Sequence, residues 1–200
     1  MIRIVLADDE ELIRGALVTL LDLEDDLQIV DQASDGRAAA DQVRAHGPDL
    51  AVFDLEMPGL DGLEAARAIH GESTTQVVII TRHARPAVLK RALAEGVRGF
   101  VPKTTPAHRL AEILRDIHAG GRYVDSEIAA SALTATSCPL TARELELLRY
   151  ALDGRTVNAI ADRAHLAPGT TRNYLSSAMS KLDSETRYEA ARKAWEEGWI

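Results

Sequence analysis

Five short apolar runs recur along this 200-residue chain, at 4–7, 28–33, 50–53, 77–80 and 98–101, each followed by a segment with helical spacing. Runs of this length between helices read as buried strands, and β and α alternating through short joints predict a parallel sheet covered on both faces. Two of the runs close on carboxylates. Residues 4–9 read IVLADD and residues 50–54 read LAVFD, the second followed by the turn Met57, Pro58, Gly59. Open α/β sheets hold their ligands at the carboxyl ends of the strands, which places Asp8, Asp9 and Asp54 in a site. Carboxylates crowded where the dielectric is low share a proton or hold a cation, and an all-oxygen set favours a magnesium ion, Mg2+.

The helical segments support this reading. Ile13, Ala16, Leu17, Leu20 and Leu21 share one face; Leu110, Ile113, Leu114 and Ile117 sit at i, i+3, i+4 and i+7. Asp61 lies three residues before Glu64, and Thr105 precedes Pro106 as an N-cap before a first-turn proline. We expect an α/β, doubly wound, five-stranded parallel-sheet domain over 1–119. Gly120 and Gly121 then break the pattern, and a stretch to Pro139 rich in Ala, Ser and Thr, weakly helical over 127–133, reads as a connection.

Beyond it the chain is helical. Thr141 with Glu144 forms a capping box before Leu145, Leu148 and Leu152, with Gly154 as a stop. Val157, Ile160, Ala161 and Ala164 make a second amphipathic stretch. Leu175, Ala178, Met179 and Leu182 make a third after Pro168 and Gly169, and Tyr188, Ala191 and Trp195 a fourth. Residues 140–200 therefore predict an all-α four-helix domain. In the third helix the apolar stripe leaves Asn173, Ser176, Ser177 and Ser180 opposite, short polar side chains suited to the major groove of DNA.

Charge divides along the same boundary. The net charge is −8, yet residues 140–200 carry 9 basic and 9 acidic side chains, so the acidity belongs to the sheet domain and one helical domain alone would attract DNA weakly. Tight binding is expected to need two copies. No apolar stretch approaches a membrane span and no cleavable leader is evident, which predicts a cytoplasmic protein without a membrane partner. The lone Cys138 excludes an internal disulfide. The six histidines have no metal-ligand spacing and are expected to be solvated or locally hydrogen-bonded.

Residues 1–119 resemble the receiver domain of two-component response regulators, a flavodoxin-like fold. The resemblance makes Asp54 the phospho-acceptor, Asp8 and Asp9 the acidic pair, Thr81 and Lys103 the residues that contact the transferred phosphoryl group, and Phe100 the switch aromatic. It also implies Mg2+ held by Asp9 and Asp54, by Asp8 directly or through water, and by the backbone carbonyl of Glu56. Pro102 and Thr104, on either side of Lys103, depart from the usual pattern, leaving the path of that loop open. Residues 140–200 resemble the LuxR-type helix-turn-helix of the NarL/FixJ class through Leu140, Thr141, Arg143, Glu144, Gly154, Asn158, Ile160, Ala161, Leu166, Gly169, Thr170, Arg172, Asn173, Leu175, Lys181 and Leu182. That implies Arg172, Asn173 and Ser176 facing bases, with Thr170, Thr171, Asn158 and Lys181 towards the DNA backbone, although valine is commoner at 171 and lysine at 176.

Together these imply a transcriptional regulator phosphorylated by a sensor histidine kinase, dimerising on activation and binding promoter DNA. Candidate pairing surfaces are the region of Leu12, Ile13, Leu110 and Ile113, the 89–100 region, and Tyr188 with Trp195. The runs ARP at 84–86, EMPG at 56–59 and the terminal EGW resemble the DesR-like regulators that respond to membrane fluidity. Two other classes stay open: a Mg2+-dependent aspartyl-phosphate hydrolase with Glu56 as general acid, and an adaptor whose helical module binds protein or RNA.

Overall fold

A computed structural model describes residues 1–83, 85–134 and 137–200. The chain falls into two compact units, Met1–Ala84 with Leu89–Ala130, and Ser131–Ile200 with Arg85–Val88.

In the first unit, strands β1 (Ile2–Ala7), β2 (Leu27–Ala33), β3 (Leu50–Asp54), β4 (Gln76–Thr81) and β5 (Gly99–Pro102) alternate with helices α1 (Glu11–Leu21), α2 (Gly36–His46), α3 (Gly62–Ile69), α4 (Pro86–Ala94) and α5 (Ala107–His118). The sheet is parallel, ordered β2-β1-β3-β4-β5 and then a short edge strand, β6 (Tyr123–Val124), so the chain reverses direction across the sheet between β1 and β3. Asp54 pairs with Ile80 and Thr81 with Pro102, which brings the carboxyl ends of β3, β4 and β5 to one rim.

Alternation explains why both faces are dry. Ile4, Leu6, Leu50, Val52, Val78, Ile80 and Val101 pack with Leu21 of α1 and Leu110, Ile113, Leu114 and Ile117 of α5. Their alternates Val5, Ala7, Ala51, Phe53, Ile79 and Phe100 are equally buried. Asp61 caps α3 in a complete capping box with Glu64, as its spacing predicts.

Four expectations need correction. The sheet has a sixth strand, β6 (Tyr123–Val124), where a connection was expected; the Tyr123 amide donates to the Arg98 carbonyl and the Asp125 amide to that of Phe100. Helix α6 (Ser126–Thr134) follows it. On α1 the buried arc runs through Leu17, Val18 and Leu21, whereas Ala16 and Leu20 are exposed, because α1 packs along β2 and α5 over one narrow side. At α5 the N-cap is Pro106, with no side-chain cap, one position later than the sequence suggests. Finally, Leu110 and Ile113 are core residues and offer nothing to a partner surface, while Leu12 is exposed.

The second unit contains α7 (Ala142–Leu152), α8 (Val157–Arg163), α9 (Pro168–Lys181) and α10 (Arg187–Glu196). Its core joins Leu147, Leu148 and Ala151 to Ile160, Leu175 and Ala178, and to three successive small contacts on α10, Ala190, Ala191 and Ala194. Thr141 and Glu144 form the expected capping box, and Gly154 takes a left-handed φ of 75° after α7. The turn between α8 and α9 contains His165 at φ 53°, a conformation that disfavours a residue with a Cβ. No helix among the described residues is long and apolar enough to cross a membrane.

Candidate functional site

The rim of the parallel sheet gathers charges that the sequence scatters over 95 positions. Asp8 follows β1, Asp54 ends β3 and Lys103 follows β5. The Lys103 amide donates to the Thr81 carbonyl at 2.8 Å, which turns its side chain back over the strand ends. Its ammonium, almost buried, lies 2.8 Å from Asp8 Oδ2, 2.9 Å from Asp54 Oδ2 and 3.3 Å from Glu10 Oε1. Among the described residues no peptide is cis; Pro102 ends β5 opposite Thr81, and Thr104 lies in the turn that follows.

Backbone packing holds Asp54 in place. Leu55 donates to the Ile80 carbonyl at 2.9 Å, and the Gly62 amide donates to the Leu55 carbonyl at 3.0 Å. A Cβ on Gly62 would stand 2.2 Å from the Asp54 carbonyl oxygen, so only glycine lets α3 start this close to the site. The Asp54 carboxyl is raised above its ordinary range: burial is the main cause and nearby Asp8 adds to it, against the ammonium of Lys103. Lys103 titrates above its usual range because its bonds to Asp8 and Asp54 outweigh the opposing effect of burial.

Asp9 is exposed at the mouth, and one carboxylate oxygen from each of Asp8, Asp9, Glu10 and Asp54 lies within 4.8 Å of the others. Asp9, Glu10, Asp54, Glu56, Arg82, His83 and Lys103 line a cleft of about 290 Å3. Four carboxylates without a nitrogen or sulfur donor suit a hard dication. Sequence reasoning missed Glu10, Arg82 and His83 as parts of this cleft. Only the third consecutive acid in the run DDE could have pointed to Glu10; Arg82 and His83 carry no local signal.

Thr81 and Phe100 are fully buried. The Thr81 hydroxyl donates to the His83 carbonyl at 3.2 Å and accepts from the His83 amide at 3.1 Å. Its side chain is thus folded onto the β4–α4 loop. Glu56 faces His83 Nδ1 at 3.5 Å.

On the helical unit, α9 presents Thr170, Arg172, Asn173 and Ser176 to solvent, and Asn158 of α8 is exposed too. One expected backbone contact, Thr171, is corrected, and a second, Lys181, is exposed but already paired within the bundle. Thr171 is wholly buried with its hydroxyl donating to the Ala167 carbonyl, because it continues the stripe of Leu175, Ala178 and Leu182. Lys181 turns inward: its ammonium sits 2.7 and 2.9 Å from the carboxylate oxygens of Glu144, which Ser177 also reaches at 2.6 Å. Glu144, 2% exposed, accepts from Thr141 as well. Burial alone would raise its carboxyl, yet the bonds from Lys181, Ser177 and Thr141 prevail and hold it at about 2. The capping glutamate of α7 thus fastens the polar end of α9. Immediately beyond Lys181, Lys193 donates to the Leu182 and Asp183 carbonyls and closes the same C-terminal end of α9.

Residues 4–115 match the family described as the response regulator receiver domain, and residues 138–194 match the bacterial regulatory proteins of the luxR family. The chain is 38% identical to the transcriptional regulatory protein DesR of Bacillus subtilis, across the whole of both. It is 32% identical to the probable transcriptional regulatory protein NarL of Mycobacterium tuberculosis, covering 96% of this chain and 93% of that one. Among solved structures it is similar to the response regulator ChrA of a heme-sensing two-component system, with 29% identity, a TM-score of 0.60, and coverage of 100% of this chain and 98% of that one.

Proposed function

The chain belongs to the NarL/FixJ response regulators, phosphorylation-dependent transcriptional regulators with a LuxR-type DNA-binding domain, and within that family we propose the following division of labour. The sheet domain, 1–119 with β6 added at its edge, receives the signal, the remainder of 120–139 connects and 140–200 bind promoter DNA, the whole acting in the cytoplasm. A sensor histidine kinase supplies the phosphoryl group and Asp54 accepts it. The observation that carries this reading is the meeting of Lys103 with both Asp8 and Asp54 at the strand ends, a cation held where a phosphoryl group would arrive.

An Asp54 carboxylate oxygen attacks phosphorus. The new P–O bond forms as the P–N bond of the kinase phosphohistidine breaks, its electron pair returning to the imidazole nitrogen. Lys103 pairs with the incoming phosphoryl oxygens, and the Thr81 hydroxyl leaves the His83 carbonyl to donate to one of them. Buried Phe100 repacks as that loop moves and carries the change to the surface. Asp8, Asp9 and Asp54, with the backbone carbonyl of Glu56, would hold Mg2+, which when bound neutralises the charge that otherwise keeps anions away.

For the output, Arg172, Asn173 and Ser176 read bases while Thr170 and Asn158 contact phosphates. A phosphorylated homodimer sets two such helices on a pseudopalindrome and gains affinity through effective concentration. The 38% identity to DesR supports placement in the DesR-like group. Incubation with Mg2+ and acetyl phosphate, borohydride reduction and peptide mass analysis test the acceptor: residue 54 is converted to homoserine. Reduction at another carboxylate contradicts the assignment.

A further inference from the structure

Arg82 directly follows Thr81, the last residue of β4, and lines the same cleft as Asp54 and Lys103. Its guanidinium is paired across the mouth with Glu10, and Glu10 in turn reaches Lys103 at 3.3 Å. The cleft therefore carries an alternating row: Asp54 and Asp8, then Lys103, then Glu10, then Arg82. On the neighbouring wall His83 faces Glu56. Two adjacent residues of one loop thus bridge to two opposing loops.

We propose that Arg82 is the docking residue for anionic phosphoryl donors, held on Glu10 at the mouth of the cleft until a donor takes its guanidinium. This rests on the reading of Asp54 as the acceptor. Five carboxylates, Asp8, Asp9, Glu10, Asp54 and Glu56, surround the path that a phosphate dianion must take, and Lys103 is already committed to three of them, Asp8, Asp54 and Glu10. A second cation at the entrance offsets that repulsion. The pair holding it is replaceable, because both partners are well exposed, at 50% and 38% of their side chains, and ion pairs in that setting are weak. A phosphoryl group offers the guanidinium two oxygens in a fork that matches its donors. The exchange is productive in both directions: the donor gains an anchor, and Glu10 is released from Arg82.

Donor charge provides the test. Acetyl phosphate is a dianion and transfers its phosphoryl group as the P–O bond breaks, the electron pair leaving with acetate. Phosphoramidate bears its proton on nitrogen, has lower net charge and releases ammonia. The full chain, with Mg2+, is labelled with each donor over a range of concentrations, as wild type, Arg82→Ala, Arg82→Lys and Asp54→Ala. The expected result for Arg82→Ala is a rise of about fivefold in the half-saturating acetyl phosphate concentration, with the maximal rate little changed and phosphoramidate affected far less. Arg82→Lys recovers part of the loss, and raised ionic strength shrinks the difference. Unchanged half-saturation for acetyl phosphate, or an equal change for both donors, overturns the proposal; the second outcome would make Arg82 a steric gate. Labelling that persists in Asp54→Ala removes the acceptor assignment instead, which separates the two failures.

Discussion

Replacing Glu144 by glutamine tests whether one buried carboxylate organises the DNA-binding half. In the folded chain this carboxyl titrates at about 2, against 4.5 for an ordinary glutamate. At 1.36 kcal/mol for each tenfold difference in acidity, that gap contributes about 3 kcal/mol to folding. Lys181 is about a third exposed and partly screened, which brings the expectation to about 2 kcal/mol. The sign is that of a depressed carboxyl: the contribution is complete above pH 4.5 and disappears as pH falls from 4.5 towards 2. Glutamine keeps the volume and an acceptor for Thr141 but cannot neutralise Lys181. Urea unfolding of the full chain is followed by tryptophan fluorescence, which reports on the helical unit because both tryptophans, Trp195 and Trp199, lie there. The variant should be about 2 kcal/mol less stable at pH 7 with an unchanged m-value, and the gap should narrow below pH 4.5 and close as pH approaches 2. A gap that stays constant from pH 7 to pH 3, or a loss under about 0.5 kcal/mol at pH 7, refutes the reasoning.

Three further substitutions probe other joints of the account. Gly62→Ala drives a Cβ against the Asp54 carbonyl, so the receiver should lose about 2 kcal/mol in thermal unfolding and phosphodonor labelling should slow. His165→Gly relieves a left-handed residue in the turn before α9 and should stabilise the helical unit by up to about 1 kcal/mol in the fluorescence assay. Arg172→Ala should weaken operator binding and lower the slope of log affinity against log salt by about 1 if the guanidinium meets a phosphate, or relax preference at one base pair if it meets a guanine.

The five longer strands were legible because burial on both faces leaves almost unbroken apolar runs, and Asp8 and Asp54 because they punctuate the ends of two of them, whereas Lys103 entered only through the resemblance to the receiver family. Strand β6 was not. Tyr123 and Val124 have no periodicity, and only the free edge of β5 makes them a strand. Thr171 was readable in principle, since it sits four residues before Leu175 on the buried stripe, but a polar side chain in that stripe looks like surface until packing is known. The inward turn of Lys181 depends on Glu144, 37 residues away, and no local pattern encodes it. Arg82 and Glu10 are likewise brought together by topology alone, 72 positions apart. Local spacing thus gives elements and the residues at their ends, whereas ion pairs between loops require the fold.

The central claim is that a phosphoryl group on Asp54 governs promoter binding by α9. Operator occupancy measured with and without acetyl phosphate and Mg2+, for wild type and Asp54→Ala, tests it most directly. The account predicts that the donor raises occupancy by wild type and leaves the variant at its basal level. An equal donor-dependent rise in Asp54→Ala, or no rise in wild type that is fully phosphorylated, would contradict it.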